Sequence, residues 1–265
     1  MSPSDGGDEV RPITDRFDLS GKVAIITGGS RGIGRAMAFG LAGAGADVVI
    51  ASRKLDRCEQ TAADVVAATG RRALAIACHV GRWSDCDALV DEVYEHWGRC
   101  DVLVNNAGMS PLYPDLTSVT EDLYDKVHAV NARGPFRLAT LVGARMNEGD
   151  GGSIINVSTA GSLRPDAHDL PYAMAKASLN ALTLGLAGVW APKVRANVVL
   201  PGAFDTDIAD AWGDEAKAAV AKMNPMGRIG QPDDLVGACL FLASDASSYV
   251  NGAQLLVDGG LFRSL

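Results

Sequence analysis

Tyr172 and Lys176 stand four residues apart in a stretch, Tyr172–Trp190, that reads as helix, so both side chains leave one face a turn apart. A tyrosine hydroxyl ordinarily titrates near ~10, too high to exchange protons readily at neutral pH. An ammonium beside it stabilises the phenolate; bringing the hydroxyl to neutrality takes roughly 4 kcal/mol of differential stabilisation. Such a tyrosine can give a proton to a ketone oxygen while hydride arrives at the carbon, and take one in the reverse direction. Alone, the pair is weak evidence, because a tyrosine and a lysine on a surface helix is the default reading. Ser158 changes that judgement. It follows the apolar run Ser153–Val157, and a hydroxyl leaving the carboxyl end of a strand points into the ligand crevice, where it can stabilise charge on a substrate oxygen. Thr159 and Ser162 are its neighbours in type, and the strand register favours Ser158.

Hydride needs a carrier, and the other end of the chain offers a place for one. Thr27-Gly28-Gly29-Ser30-Arg31-Gly32-Ile33-Gly34 follows an apolar run and opens a helix. Glycines let the backbone approach a pyrophosphate, and a helix N-terminus presents free N–H groups and positive potential. At the end of the second apolar run an acid would bind a ribose 2′-hydroxyl. This chain has Ser52 there, then Arg53 and Lys54, with Arg31 in the glycine turn. Cations around one point suit a 2′-phosphate, so the expected cofactor is NADP(H) rather than NAD. The plain alternative for Arg53 and Lys54 is a solvated loop.

These residues are positioned by an alternation of apolar runs and helical stretches. Strands are expected at Lys22–Thr27, Asp47–Ala51, Ala73–Cys78, Asp101–Val104, Ile154–Val157, Arg195–Leu200 and Gln254–Val257. Helices are expected over Gly32–Ala44, Leu55–Thr69, Ser84–Trp97, Glu121–Met146, Tyr172–Trp190 and Pro232–Ala243. The strands are apolar without alternation, as when both faces are covered. The pattern predicts an α/β fold: a single-domain Rossmann fold with a doubly wound parallel sheet of seven strands, its ligand outside their carboxyl ends. Residues 1–16 read as a flexible tail, 17–265 as the domain, and about 203–228 as a partly helical substrate lid.

The spacing T-G-x-x-x-G-x-G, with Ser158, Tyr172 and Lys176 in this order, resembles the short-chain dehydrogenase/reductase family, from about Leu19 to Gly260. The resemblance implies an oxidoreductase acting on a carbonyl or secondary alcohol. Asn105-Asn106-Ala107-Gly108 is similar to the family's N-N-A-G element, which lies along the cofactor, Gly108 leaving room for the adenosine ribose. Asn131, in Val130–Gly134, matches the family's fourth catalytic member, which holds a water that relays protons to the lysine. Pro201, Gly202, Phe204 and Thr206 fall where the family clasps the nicotinamide carboxamide. Two departures stand out. His79, before Val80, replaces the family's usual aspartate at the adenine amine; a neutral imidazole can accept from that amine or be plain pocket wall. The Ser158–Tyr172 interval is one residue longer than the family's more common spacing, which places an extra residue in the loop near Pro165–Pro171.

The net charge of −8 gives nucleic acid or an anionic membrane no electrostatic reason to bind. No apolar run reaches membrane-span length. The five cysteines are scattered without metal-ligand spacing, which predicts no metal and a reducing, cytoplasmic setting. The helices Glu121–Met146 and Tyr172–Trp190 are where family members pair, so a homo-oligomer, dimer or tetramer, is expected. The substrate is expected to be a small, largely apolar carbonyl or alcohol compound, walled by Leu112, Tyr113, Leu163, Phe204, Trp212, Met223 and Met226, with Arg164 and His168 facing substrate or water. A carrier-bound 3-oxoacyl thioester is the alternative. The acidic, glycine-rich segment Asn147–Gly152 would repel an acidic carrier. A non-catalytic NADPH-binding sensor is the remote alternative, against which all four catalytic positions are filled.

Overall fold

Along β1 (Val23–Thr27) every residue is buried, and successive side chains serve different layers. Ala24 and Ile26 pack with Met37, Leu41, Val65 and Leu242 on one face of the sheet. Val23 and Ile25 pack with Leu89, Val93, Leu138 and Val142 on the other. That two-sided burial is why the strand sequences show no polar alternation. A computed structural model describes residues 12–207, 209 and 213–262 of the chain.

The remaining elements follow in alternation. They are α1 (Gly32–Gly43), β2 (Asp47–Ser52), α2 (Leu55–Thr69), β3 (Ala73–Ala77), α3 (Trp83–Trp97), β4 (Val102–Asn105), α4 (Glu121–His128) and α5 (Gly134–Glu148). Then come β5 (Gly152–Val157), α6 (Leu170–Val189), β6 (Val194–Pro201), α7 (Gly213–Met223), α8 (Val236–Ala243) and β7 (Gln254–Val257). The seven strands form one parallel sheet in the order β3-β2-β1-β4-β5-β6-β7. The winding reverses between β1 and β4, which opens a crevice at their carboxyl ends. The expected strands and fold class are those observed.

Three expectations need adjusting. The single helix expected over Glu121–Met146 is α4 and α5 joined by a π-helical turn, Ala129–Arg133. Pro135 has no N–H to offer the carbonyl of Asn131 four residues earlier, so the α-helical ladder cannot run through and the turn widens. The tail boundary expected at residue 16 falls inside a 3-10 turn, Ile13–Phe17, that lies beside Asp245–Ser247; residues 1–11 lie outside the described residues. Within 203–228 the regular part is α7; Trp212 lies outside the described residues.

A buried polar chain ties the centre together. The Asn105 amide donates to Asn156 Oδ1 (3.0 Å), and the Asn156 amide donates to Thr183 Oγ1 (2.9 Å), linking β4, β5 and α6. All five cysteines are buried and unpaired. No helix among the described residues is long and apolar enough to cross a membrane.

Candidate active site

The carboxyl ends of β1, β2, β4, β5 and β6 open on a cleft of about 1280 Å³. Its floor is the glycine turn. A Cβ on Gly34 would lie 2.3 Å from the Gly28 carbonyl oxygen and 2.4 Å from Asn106 Nδ2, so no side chain fits there. Asn106 braces the turn: its amide donates to the Thr27 carbonyl (2.9 Å), and the N–H groups of Asn106 and Ala107 donate to Thr27 Oγ1 (3.0 and 3.1 Å). The N-terminus of α1 has no capping side chain and no acid in its first turn. Free N–H groups beside a bare backbone floor suit an anionic pyrophosphate.

At the end of β2, Ser52 and Ser30 share a hydrogen bond (2.9 Å), and Arg53 and Lys54 stand exposed on the rim. Arg57, one turn into α2, joins them; its spacing from Arg53 and Lys54 was the available signal. Arg31 lines the same cleft and pairs with Asp207. His79 lines the cleft wall, one of its two expected places. Its Nδ1 accepts the Gly81 N–H (3.2 Å), so the ring proton of a neutral imidazole sits on Nε2, and that nitrogen donates rather than accepts. Val80 completes this wall.

Gly108 stands against the catalytic side. A Cβ there would lie 3.0 Å from Asn131 Oδ1 and 3.5 Å from Lys176 Nζ, so its smallness makes room for these groups. Asn131 is wholly buried behind the cleft wall, in the π-helical turn. It donates to the carbonyls of Met109 (2.8 Å) and Val127 (2.9 Å) and accepts the Met109 N–H (3.2 Å). Pro201, Gly202, Phe204 and Thr206 line the opposite side, Thr206 over Gly32 and the Phe204 ring packed on Gly230.

Ser158, Tyr172 and Lys176 face the cleft together. The Ser158 hydroxyl donates to the Lys176 carbonyl (3.0 Å), fixing β5 against α6. Lys176 is 2% exposed, and its ammonium donates to the Val157 carbonyl (2.6 Å) and lies 5.8 Å from the centre of the Tyr172 ring. Burial lowers the Lys176 pKa to about 8. Burial, with the charge of Asp169 behind it, pushes the Tyr172 hydroxyl above its ordinary value. Desolvation of the phenolate is the larger of the two causes.

The substrate walls differ from those expected. Leu112 and His168 line the cleft, but Met223 and Met226 point outward, 69% and 65% exposed. Tyr113 is a staple: its hydroxyl donates to the Ala167 carbonyl (2.6 Å) and accepts the Leu170 N–H (2.9 Å), pinning the loop before α6. Arg164 lies over the Phe262 ring. The apolar wall comes from Leu112, Val220, Leu261 and Phe262, and beside it stand Asp166, Asp169 and Asp207, which the sequence did not single out.

A family model described as enoyl-(acyl carrier protein) reductase matches residues 28–262. The chain is 40% identical to 2-dehydro-3-deoxy-D-gluconate 5-dehydrogenase of Pseudoalteromonas atlantica over 252 residues, 93% of this chain and 98% of that protein. The chain belongs to the short-chain dehydrogenase/reductase family. Another member, the L-rhamnose 1-dehydrogenase (NAD(P)(+)) of Azotobacter vinelandii, is 41% identical over 254 residues, 93% of this chain and 99% of that one. The gluconate 5-dehydrogenase of Burkholderia cenocepacia, solved in complex with NADP and tartrate, superposes with a TM-score of 0.89 at 37% identity, covering 95% of this chain and 99% of that one. As a short-chain dehydrogenase/reductase, the chain is an oxidoreductase of the CH–OH/C=O class.

Proposed function

We propose that the protein moves a hydride between NADP(H) and a secondary alcohol or ketone of a small hydroxyl-bearing compound. The observation that carries this is the meeting, in one cleft, of the glycine turn, the basic rim at β2 and the Ser158–Tyr172–Lys176 group. Relatives named as an L-rhamnose 1-dehydrogenase (NAD(P)(+)) and a 2-dehydro-3-deoxy-D-gluconate 5-dehydrogenase support it, as does the NADP in a structural neighbour.

The glycine turn from Gly28 to Gly34 would hold the pyrophosphate. Arg53, Lys54 and Arg57 would face the 2′-phosphate, His79 and Val80 the adenine, Asn106–Gly108 the ribose side, and Pro201–Thr206 the nicotinamide. When bound, the dinucleotide supplies hydride for reduction and takes it up in oxidation. Tyr172 handles the proton. In oxidation the substrate O–H proton passes to Tyr172 as the carbon–hydrogen bond breaks and its electron pair leaves with the hydride. The Lys176 ammonium stabilises the phenolate form, and Ser158 fixes strand β5 against the helix carrying both. Asn131 acts behind the lysine, anchoring Met109 and the π-helical turn.

An acyl chain on an acidic carrier protein fits less well. Glu148 and Asp150 make the corner before β5 acidic, and like charges oppose docking. Exposed Phe136, Met174 and Leu184 on α5 and α6 support pairing with a second copy, and the five buried, unpaired thiols support a cytoplasmic setting. The test is NADPH oxidation against a panel of ketones and sugars with Tyr172→Phe alongside. Turnover is expected to fall by about three orders of magnitude or more while NADPH still binds. Retained turnover in the variant would remove Tyr172 from its role.

A further inference from the structure

Helix α6 carries both Tyr172 and Lys176, and its first turn has few backbone anchors of its own. The N-cap residue, Asp169, makes no side-chain cap hydrogen bond, and Pro171, the second residue of the helix, has no N–H. The N–H of Leu170, the first residue of the helix, is taken instead by a side chain from another loop: the Tyr113 hydroxyl accepts it at 2.9 Å. The same hydroxyl donates to the Ala167 carbonyl at 2.6 Å, so one oxygen holds both sides of the turn that leads into the helix. A phenol thus does what the N-cap side chain ordinarily does.

Tyr113 is itself held from behind. Four residues before it, Met109 donates its N–H to Asn131 Oδ1 (3.2 Å) and accepts from Asn131 Nδ2 at its carbonyl (2.8 Å). Asn131 is wholly buried in the π-helical turn. The path therefore runs from a buried amide, along the loop between β4 and α4, and across to the start of α6, two residues before Tyr172. No strand or helix lies between Ser162 and Leu170. There Asp166 accepts the N–H groups of His168 (2.9 Å, at Oδ1) and Asp169 (3.3 Å, at its carbonyl). These two bonds hold the shape of the turn, and the Tyr113 bridge ties that shape to the loop after β4. Leu112, beside Tyr113, and His168, inside the bridged turn, both line the cleft, so the bridge also joins two of its lining segments.

We propose that Tyr113 is a positioning residue for the reaction: its hydroxyl caps α6 and so sets where the Tyr172 hydroxyl stands against the substrate oxygen. The proposal rests on the reading of Tyr172 as the group that handles the proton. Proton transfer requires heavy atoms within hydrogen-bond reach, and a misplacement of about 1 Å costs roughly a hundredfold in rate. Tyr172 sits in the first turn, the part of a helix that frays when its cap is lost.

The experiment compares wild type, Tyr113→Phe and Thr120→Ala in the full chain. Thr120 caps α4 at the far end of the same loop by accepting the Leu123 N–H (3.2 Å), so its loss is an uncapping that leaves the Tyr113 bridge in place. Amide exchange is read first. Pro171 has no amide, which isolates the signal of Leu170; its exchange is expected to quicken about tenfold or more in Tyr113→Phe and to stay as in wild type in Thr120→Ala. Equal exchange in wild type and Tyr113→Phe would overturn the proposal. NADPH oxidation with 2,3-butanedione as the probe ketone is read next. Tyr113→Phe is expected to lower kcat about tenfold or more, with NADPH Kd within about twofold and Tm lower by no more than about 4 °C. Its solvent deuterium isotope effect on kcat is expected to exceed that of wild type, because the proton step has slowed. Thr120→Ala is expected to keep kcat within about twofold. A kcat loss shared by both variants, or one that tracks a fall in NADPH-binding sites, would make Tyr113 a residue of the fold alone and overturn the proposal. So would an unchanged kcat and isotope effect in Tyr113→Phe. Wild type that oxidises no NADPH with this ketone or the panel above, or a Tyr172→Phe variant that keeps its turnover, would sink the underlying reading instead, while the exchange result still decides the cap.

Discussion

Three glycines of α1 meet three different surroundings, and replacing each with alanine separates helix propensity, packing and cofactor binding on one element. At Gly43 a Cβ would meet nothing within 4 Å. Alanine there gains helix propensity, up to about 1 kcal/mol, and raises Tm by roughly 2–4 °C. At Gly40 a Cβ would lie 2.2 Å from Val236 Cγ1, across the contact between α1 and α8. The same gain is offset by overpacking of about 1–3 kcal/mol against a β-branched side chain with little freedom to move, so Tm falls. At Gly34 the nearest atoms, at 2.3 and 2.4 Å, are the Gly28 carbonyl oxygen and the amide nitrogen that holds the turn. Relief requires the turn itself to shift by roughly 1 Å, since carbon and oxygen settle no closer than about 3.3 Å without a hydrogen bond. A displaced turn loses at least one charge-assisted N–H bond to a pyrophosphate, worth about 1.5–3 kcal/mol, or roughly ten- to a hundredfold in NADPH Kd. Thermal unfolding and NADPH titration of the three variants read both effects. NADPH binding by Gly34→Ala within about twofold of wild type would refute the assignment of the turn as the pyrophosphate floor.

The pH dependence has a definite sign. Burial depresses Lys176 to about 8, so its positive charge is present below that pH and lost above it. The kcat/KM for carbonyl reduction is expected to be level on the acid side and to fall as pH rises through about 8; a profile level to about pH 10 would show that Lys176 keeps its proton. Arg53→Ala is expected to weaken NADPH binding about tenfold or more while NADH changes little, if the proposed placement of the 2′-phosphate at that rim holds. Equal weakening of both dinucleotides would take Arg53 off the phosphate.

The sheet was legible because parallel strands buried on both faces leave continuous apolar runs, and the runs at Val23, Asp47, Val102 and Gln254 needed only end adjustments. Glycine at position 152 hid the start of β5, since strand propensity is poor there and the backbone pairing with β6 decides. Pro135 was the available signal for the break between α4 and α5, overridden by the amphipathic pattern on either side. In the site, the residues that line the cleft from the glycine turn and strand ends were readable from motif position. Acids in the loops were not. The placement of Asp169 depends on what Tyr113 does: by holding the carbonyl of Ala167 and the N–H of Leu170 it sets the path of a loop that has no periodicity to read. The side of the cleft an acid faces follows from that path. For Tyr172 the sequence shows the neighbouring cation but not the burial around the hydroxyl.

The Asn105–Asn156–Thr183 chain has a consequence for how this scaffold changes. Two side-chain amides locked to one another across adjacent strands, and then to the helix bearing Tyr172 and Lys176, leave no hinge between the half that holds the nucleotide and the half that performs proton transfer. The loop before α6 and the segment around α7 are attached outside that clamp. Their composition can be rewritten, and the compound they admit exchanged for another, without moving the point at which hydride must land.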